Sequence, residues 1–140
     1  MKKIVLCFCV LLSAISLRAQ RAPQVKPVYM FGLAASFTDS LAYITDIQLV
    51  DSAALLKNGF LAHRPLYSQQ LADQTEKMGH SNMTCVVFFS PKKAAMEKKY
   101  LKVKRRYGQQ HGIVVAPLGN DMFRFKAVTF DGEDEKEVKP

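Results

Sequence analysis

The chain has 140 residues, 49% of them hydrophobic, and a formal net charge of +8. That is about one domain's worth of chain, long enough to bury a real core. It contains no internal repeat and no low-complexity segment, which excludes solenoid and compositionally disordered classes.

Met1-Lys2-Lys3 is followed by an apolar run from Ile4 to Leu17 and then by Arg18-Ala19-Gln20. A positive start, a greasy middle and a small residue at the cut make a cleavable signal peptide over residues 1–19, with the working protein beginning near Gln20. The run falls short of the ~20 residues a permanent transmembrane helix needs. It is apolar all round, so it lacks the polar face of a surface-packed helix. Cys7 and Cys9 lie too early to serve as a lipid-anchoring cysteine at the cut. The expected location is therefore outside the cytoplasm, periplasmic or secreted, in a bacterial cell.

Cleavage would remove Lys2, Lys3 and Arg18, three cations, and lower the charge from +8 to +5. It would also leave Cys85 as the single thiol, with no partner for an internal disulfide. Thr84-Cys85-Val86-Val87-Phe88-Phe89 reads as a buried strand, so Cys85 is expected as a small core residue rather than a nucleophile.

Residues 20–27 form a polar, proline-punctuated, flexible leader, and 28–130 a single globular domain. Val28 to Ser36 is strand-like, Phe37-Thr38-Asp39-Ser40 is a turn, and Leu41 to Val50 is a second strand rich in β-branched residues. Together they predict an antiparallel hairpin. Asp51-Ser52 offers cap chemistry for a short helix through Lys57, stopped by Asn58-Gly59. A helix from Pro65 to Met78 would use Tyr67, Leu71 and Met78 as its apolar face and end at Gly79. Met83 to Phe89, apolar on both faces, predicts a central strand.

Ser90-Pro91 opens a long helix on which Met96, Tyr100, Val103 and Tyr107 form an apolar stripe. Gln110-His111-Gly112 closes it, and Ile113 to Ala116 is another short strand. This strand–helix–strand run predicts a βαβ unit with parallel strands. After a turn at Gly119-Asn120-Asp121, Met122 to Phe130 is expected as a last strand. Residues 131–140 read as an acidic, disordered tail. The fold class is α+β, a mixed sheet of about five strands with two or three packed helices.

The Ala19-Gln20 junction, with Val28-Tyr29-Met30-Phe31-Gly32 and Ala35-Ser36-Phe37-Thr38-Asp39-Ser40, resembles small exported proteins of unassigned function from the Bacteroidota. The resemblance implies export, and it brings no catalytic residue with it.

Chemistry is sparse. The start of the long helix is electropositive and normally attracts acids, yet Lys92 and Lys93 occupy it, with Lys93 where a glutamate would complete a capping box. Ser90, Lys92 and Lys93, joined by Asn120 from the end of the neighbouring strand, are the candidate anion site. Against it stands the plain reading of two solvated side chains, since no glycine-rich loop accompanies them. Lys98, Lys99, Lys102, Lys104, Arg105 and Arg106 extend the positive charge along the helix, opposed only by Glu97. This is the pattern of a helix that attracts the acidic tail of the same chain, of one that lies on an anionic surface, or simply of a solvated face. Nucleic acid is not expected as a partner for an exported protein.

His63, His80 and His111 show no paired ligand spacing, so no metal site is expected, nor any cofactor. Ser36, Asp39 and Ser40 lack a nucleophile elbow and a local histidine. Asp46 is expected to face solvent. The sequence favours a non-enzymatic binding or interaction protein, with an envelope protein or an anionic ligand as partner. The alternative is a small envelope hydrolase or transferase that brings His80 or His111 close to Asp39 or Asp121.

Overall fold

The structure is a computed structural model that describes residues 24–109 and 112–128. The expected signal peptide, the first residues of the leader, His111, the end of the last strand and the acidic tail lie outside the described residues.

Five strands and two helices follow in the order β1 (Gln24–Ala35), β2 (Leu41–Thr45), β3 (Gln48–Leu55), α1 (Arg64–Lys77), β4 (Thr84–Ser90), α2 (Lys93–Gly108) and β5 (Val114–Leu118). The architecture is α+β, with one mixed sheet and two packed helices. β1 is its spine. Along one edge it pairs antiparallel with β2 and then β3, and along the other with β4, while β5 adds parallel to β2. β4 and β5 therefore run in the same direction, as a strand–helix–strand unit requires. They are not neighbours, however, because β1 and β2 lie between them.

Alternation along β1 divides the core in two. Val28, Met30 and Ala34 join Tyr67 and Leu71 of α1, together with Val87, Phe123 and Phe125. Phe31, Leu33 and Ala35 face the other way and join Met96 and Val103 of α2. Tyr100 and Tyr107 pack half-buried beside them, so the stripe read from the sequence is the seam of α2. At Gly32 an added Cβ would stand 2.6 Å from Cδ2 of Leu71 and 3.0 Å from Cζ of Phe125. Only glycine lets α1 come so close to the sheet.

Two irregularities shape the hairpin. Leu33 pairs with Ile44 but Met30 with Gln48, so the partner strand carries one extra residue where β2 gives way to β3. The buried Thr45 hydroxyl spans the break: it accepts the Gly32 N–H at 2.8 Å and donates to the Asp46 carbonyl at 3.0 Å. A second register shift falls between Lys26 and Val28, at Pro27, which has no N–H to give to a ladder.

Several expectations need correction. β1 starts at Gln24, inside the expected leader, because β3 supplies an edge on which residues 24–26 pair despite their exposure. Residues 51–55 are strand, not helix: pairing with β1 outweighs the cap chemistry of Asp51 and Ser52, and Ala53 to Leu55 are buried. Asn58-Gly59 makes a turn instead of stopping a helix, with Gly59 at φ 84° and the Asn58 side chain accepting the Phe60 N–H.

β4 is not central: among the described residues it pairs with β1 alone. Its apolar run reflects helices packed on both faces of the sheet and says nothing of its place within the sheet. α2 starts at Lys93, which is therefore the first helical residue and not the third, and Ser90-Pro91 lies outside the helix. Finally, residues 123–128 form no ladder. Phe123 and Phe125 do alternate inward as a strand's residues would, but side chains hold the segment in place of a neighbouring strand.

Those side chains come from two elements, β3 and α1. Gln48 donates from Nε2 to the Phe123 carbonyl and accepts the Phe125 N–H at Oε1. Gln70 does the same to the carbonyl and N–H of Lys126. The Tyr67 hydroxyl accepts the Val128 N–H at 3.0 Å. Two amides and a phenol thus stand in for the missing strand, and the Gln48 amide satisfies backbone groups of Phe123 and Phe125 that burial would otherwise strand.

Candidate functional site

Three of the four expected anion-site residues sit together. Ser90 ends β4, its Oγ accepts the Lys92 N–H at 3.1 Å, and Lys92 caps α2 in an extended conformation without any side-chain cap bond. Lys92 and Lys93 are both exposed, and no acid stands in the first turn. Asn120 does follow β5 at the same end of the sheet, but three strand spacings away, roughly 14 Å. It shares a separate depression with Ile47, Leu49 and Arg124, where its carbonyl accepts the Arg124 Nε–H.

The positive charge continues down α2. Met96 and Val103 are buried and fix the helix on the sheet, which turns Lys98, Leu101, Lys102 and Arg105 outward on one face. Two cations on the flanks lean on aromatic rings: Lys99 Nζ lies 5.4 Å from the ring centre of Phe88, and Lys104 Nζ 5.9 Å from that of Tyr100. None of the cations from Lys92 to Arg106 forms an ion pair among the described residues. Residues 92–106 thus hold eight cations against one acid, Glu97, on a rigid helix. The sequence displays these cations; the outward face shared by Lys98, Lys102 and Arg105 follows from the seating of Met96 and Val103.

A second feature escapes a reading of the sequence. Because β4 is an edge strand, a groove of about 500 Å³ opens between it and α1, walled by Arg64, Ser68, Ala72, Met83, Cys85 and Val86. Arg64 anchors it by donating to the Val87 carbonyl at 2.8 Å while stacking over the Phe89 ring. Cys85 is half-buried in this wall, not enclosed in the core. Burial pushes its thiol pKa up, opposed by a weaker hydrogen bond with the Thr75 side chain. A thiol that resists ionisation is a poor nucleophile.

The described serine and histidine candidates take part in local structure. The Ser36 Oγ accepts the N–H groups of Thr38 and Asp39, making the turn between β1 and β2. His80 Nε2 lies 3.2 Å from the Tyr43 hydroxyl, joining the end of α1 to β2. His63 caps the opposite end of that 14-residue helix, about 20 Å from His80. Asp46 is exposed at the break between β2 and β3. No group of three or more His, Cys, Asp or Glu side chains able to hold a metal is found among the described residues. Comparison with protein-family models, with curated proteins and with solved structures finds no match for this chain.

Proposed function

We propose that this chain is an exported, non-enzymatic binding protein that docks an anionic partner on the solvent face of α2. The observation that carries the reading is the run of eight cations and one acid on a firmly seated helix, none of the cations ion-paired among the described residues. Like charges with no ion-paired acid among the described residues repel one another and weaken a helix, and an anionic partner relieves that repulsion. Export rests on the N-terminal pattern and on the resemblance to exported Bacteroidota proteins. A hydrolase or transferase is disfavoured because Ser36 and His80 are engaged in turn and packing bonds and burial pushes the Cys85 thiol pKa up.

The test is thermal unfolding of residues 20–140 with polyphosphate. All seven elements lie within residues 24–118, so this span carries the whole described fold. A ligand at about a hundred times its Kd stabilises the native state by roughly 2.7 kcal/mol, a rise of several degrees in Tm for a domain of this size. The rise should vanish in Lys98→Glu/Lys102→Glu/Arg105→Glu and shrink in Lys92→Glu/Lys93→Glu. A loss confined to the second variant would move the site to the helix start. No shift in the wild type would end the anionic reading.

A further inference from the structure

We infer that the anionic partner is a lipid bilayer, which the end of the sheet beside the last turn of α2 enters with Phe37 and Val114. The inference rests on the proposed role of α2 and adds an apolar tip that the charge pattern does not contain.

The turn between β1 and β2 is tightly built. The Ser36 N–H donates to the Leu41 carbonyl at 3.0 Å, Ser36 Oγ gathers the next two free N–H groups, and Ser40 takes a φ of 22°. This hydrogen-bonded turn holds Phe37 at 87% exposure, the most exposed large apolar side chain among the described residues. The same turn is tied to β5: the Ser40 carbonyl accepts the Val114 N–H at 2.8 Å, and Val114 pairs with Leu41. Val114 is itself 65% exposed. Phe37 and Val114 are thus both exposed at the same end of the sheet.

The helix supplies the charge at that same end. α2 follows β4 and precedes β5, and these two strands run in one direction, so α2 returns antiparallel to both and its last turn lies where β5 begins. Arg105 and Arg106 are exposed on that turn. One turn back, Leu101 is 61% exposed between Lys98, Lys102 and Arg105. Apolar tips bordered by cations match the two layers of an anionic membrane interface, where acyl chains take the former and headgroup phosphates the latter. A soluble polyanion rewards the cations but offers nothing to Phe37, Val114 or Leu101. Asp39 is the acid on the tip and works against the approach.

Residues 20–140 are sedimented with vesicles of phosphatidylglycerol and phosphatidylcholine in equal parts, with vesicles of phosphatidylcholine alone, and assayed against soluble polyphosphate. The expected result is partition onto the anionic vesicles and little onto the neutral ones. Phe37→Ser/Val114→Thr alters two exposed side chains and leaves both cores intact. It should weaken vesicle binding about tenfold or more while leaving Tm and polyphosphate binding unchanged. Asp39→Asn should strengthen vesicle binding by several-fold. Unchanged vesicle binding in the tip variant overturns the inference. So does polyphosphate binding without vesicle binding, which leaves the anionic reading of α2 standing. Binding to neither overturns both.

Discussion

Gln48 grips Phe125 through the backbone: its Oε1 accepts the Phe125 N–H at 2.8 Å, across 77 positions of sequence. The same amide donates to the Phe123 carbonyl, so one side chain on β3 fills the hydrogen-bonding role of a strand. Gln48 is buried, and Leu at this position would leave an N–H and a carbonyl unsatisfied in the core. Gln48→Leu is therefore expected to cost about 2–4 kcal/mol in urea unfolding. Gln70 makes the same paired bonds to Lys126 at an exposed site, and Gln70→Ala should cost under about 1 kcal/mol. Amide hydrogen exchange at Phe125 gives the local readout. Equal costs for the two variants would mean that burial does not set the strength of the clamp.

This clamp also marks the limit of what the sequence discloses. The alternation of Phe123, Arg124, Phe125 and Lys126 is legible as an extended segment with an inward face, and that is how it lies. Nothing local tells whether its backbone partner is a strand or a pair of glutamines from distant elements. The same limit explains β4. Its apolar residues report two covered faces, whereas edge or centre depends on strand order, which pairing along β1 decides. Helix periodicity carried more: Tyr67 and Leu71 on α1, and Met96 and Val103 on α2, are buried as their spacing predicts. For the site, the cations of α2 are visible in sequence. The separation of Asn120 from Lys92 and the placing of Phe37 and Val114 at one end of the sheet depend on strand order.

Gly32 provides a packing test. Because an alanine Cβ would meet Leu71 at 2.6 Å in a filled core, Gly32→Ala is expected to cost about 1–3 kcal/mol. Leu71→Ala alone removes a fully buried side chain and should cost about 2–5 kcal/mol. The two changes relieve one another, so the double variant should lose less than the sum of the singles. Strict additivity in denaturant midpoints would show that α1 does not set the demand for glycine.

Two groups make the fold sensitive to alkali. Burial pushes the Cys85 thiol above its ordinary 9.0, and burial together with the Asp46 carboxylate pushes the Tyr100 phenol above 10.0. Both lose their protons more readily when unfolded. Their contribution to stability is thus complete below the ordinary values and is lost as pH rises from these values through the raised ones. Urea midpoints should fall from about pH 9 upward, and less steeply in Cys85→Ala/Tyr100→Phe than in the wild type. Asp46→Asn should soften the Tyr100 part of the slope by removing the second cause. Identical slopes in wild type and double variant would assign the alkaline loss to other groups.

The start of α2 sets stability against binding. Lys93 is the first helical residue, at the positive end of the helix dipole, with no acid in the first turn and no side-chain cap. A carboxylate there would meet free N–H groups and a favourable field, so Lys93→Glu is expected to gain about 0.3–1 kcal/mol. Tm should rise by a few degrees. If polyphosphate binding weakens in the same variant, the lysine is kept at a cost to the fold and belongs to the docking face. If Tm rises and binding is unchanged, the docking face begins further along the helix, at Lys98. A fall in Tm would show that Lys93 holds the helix start by contacts other than charge.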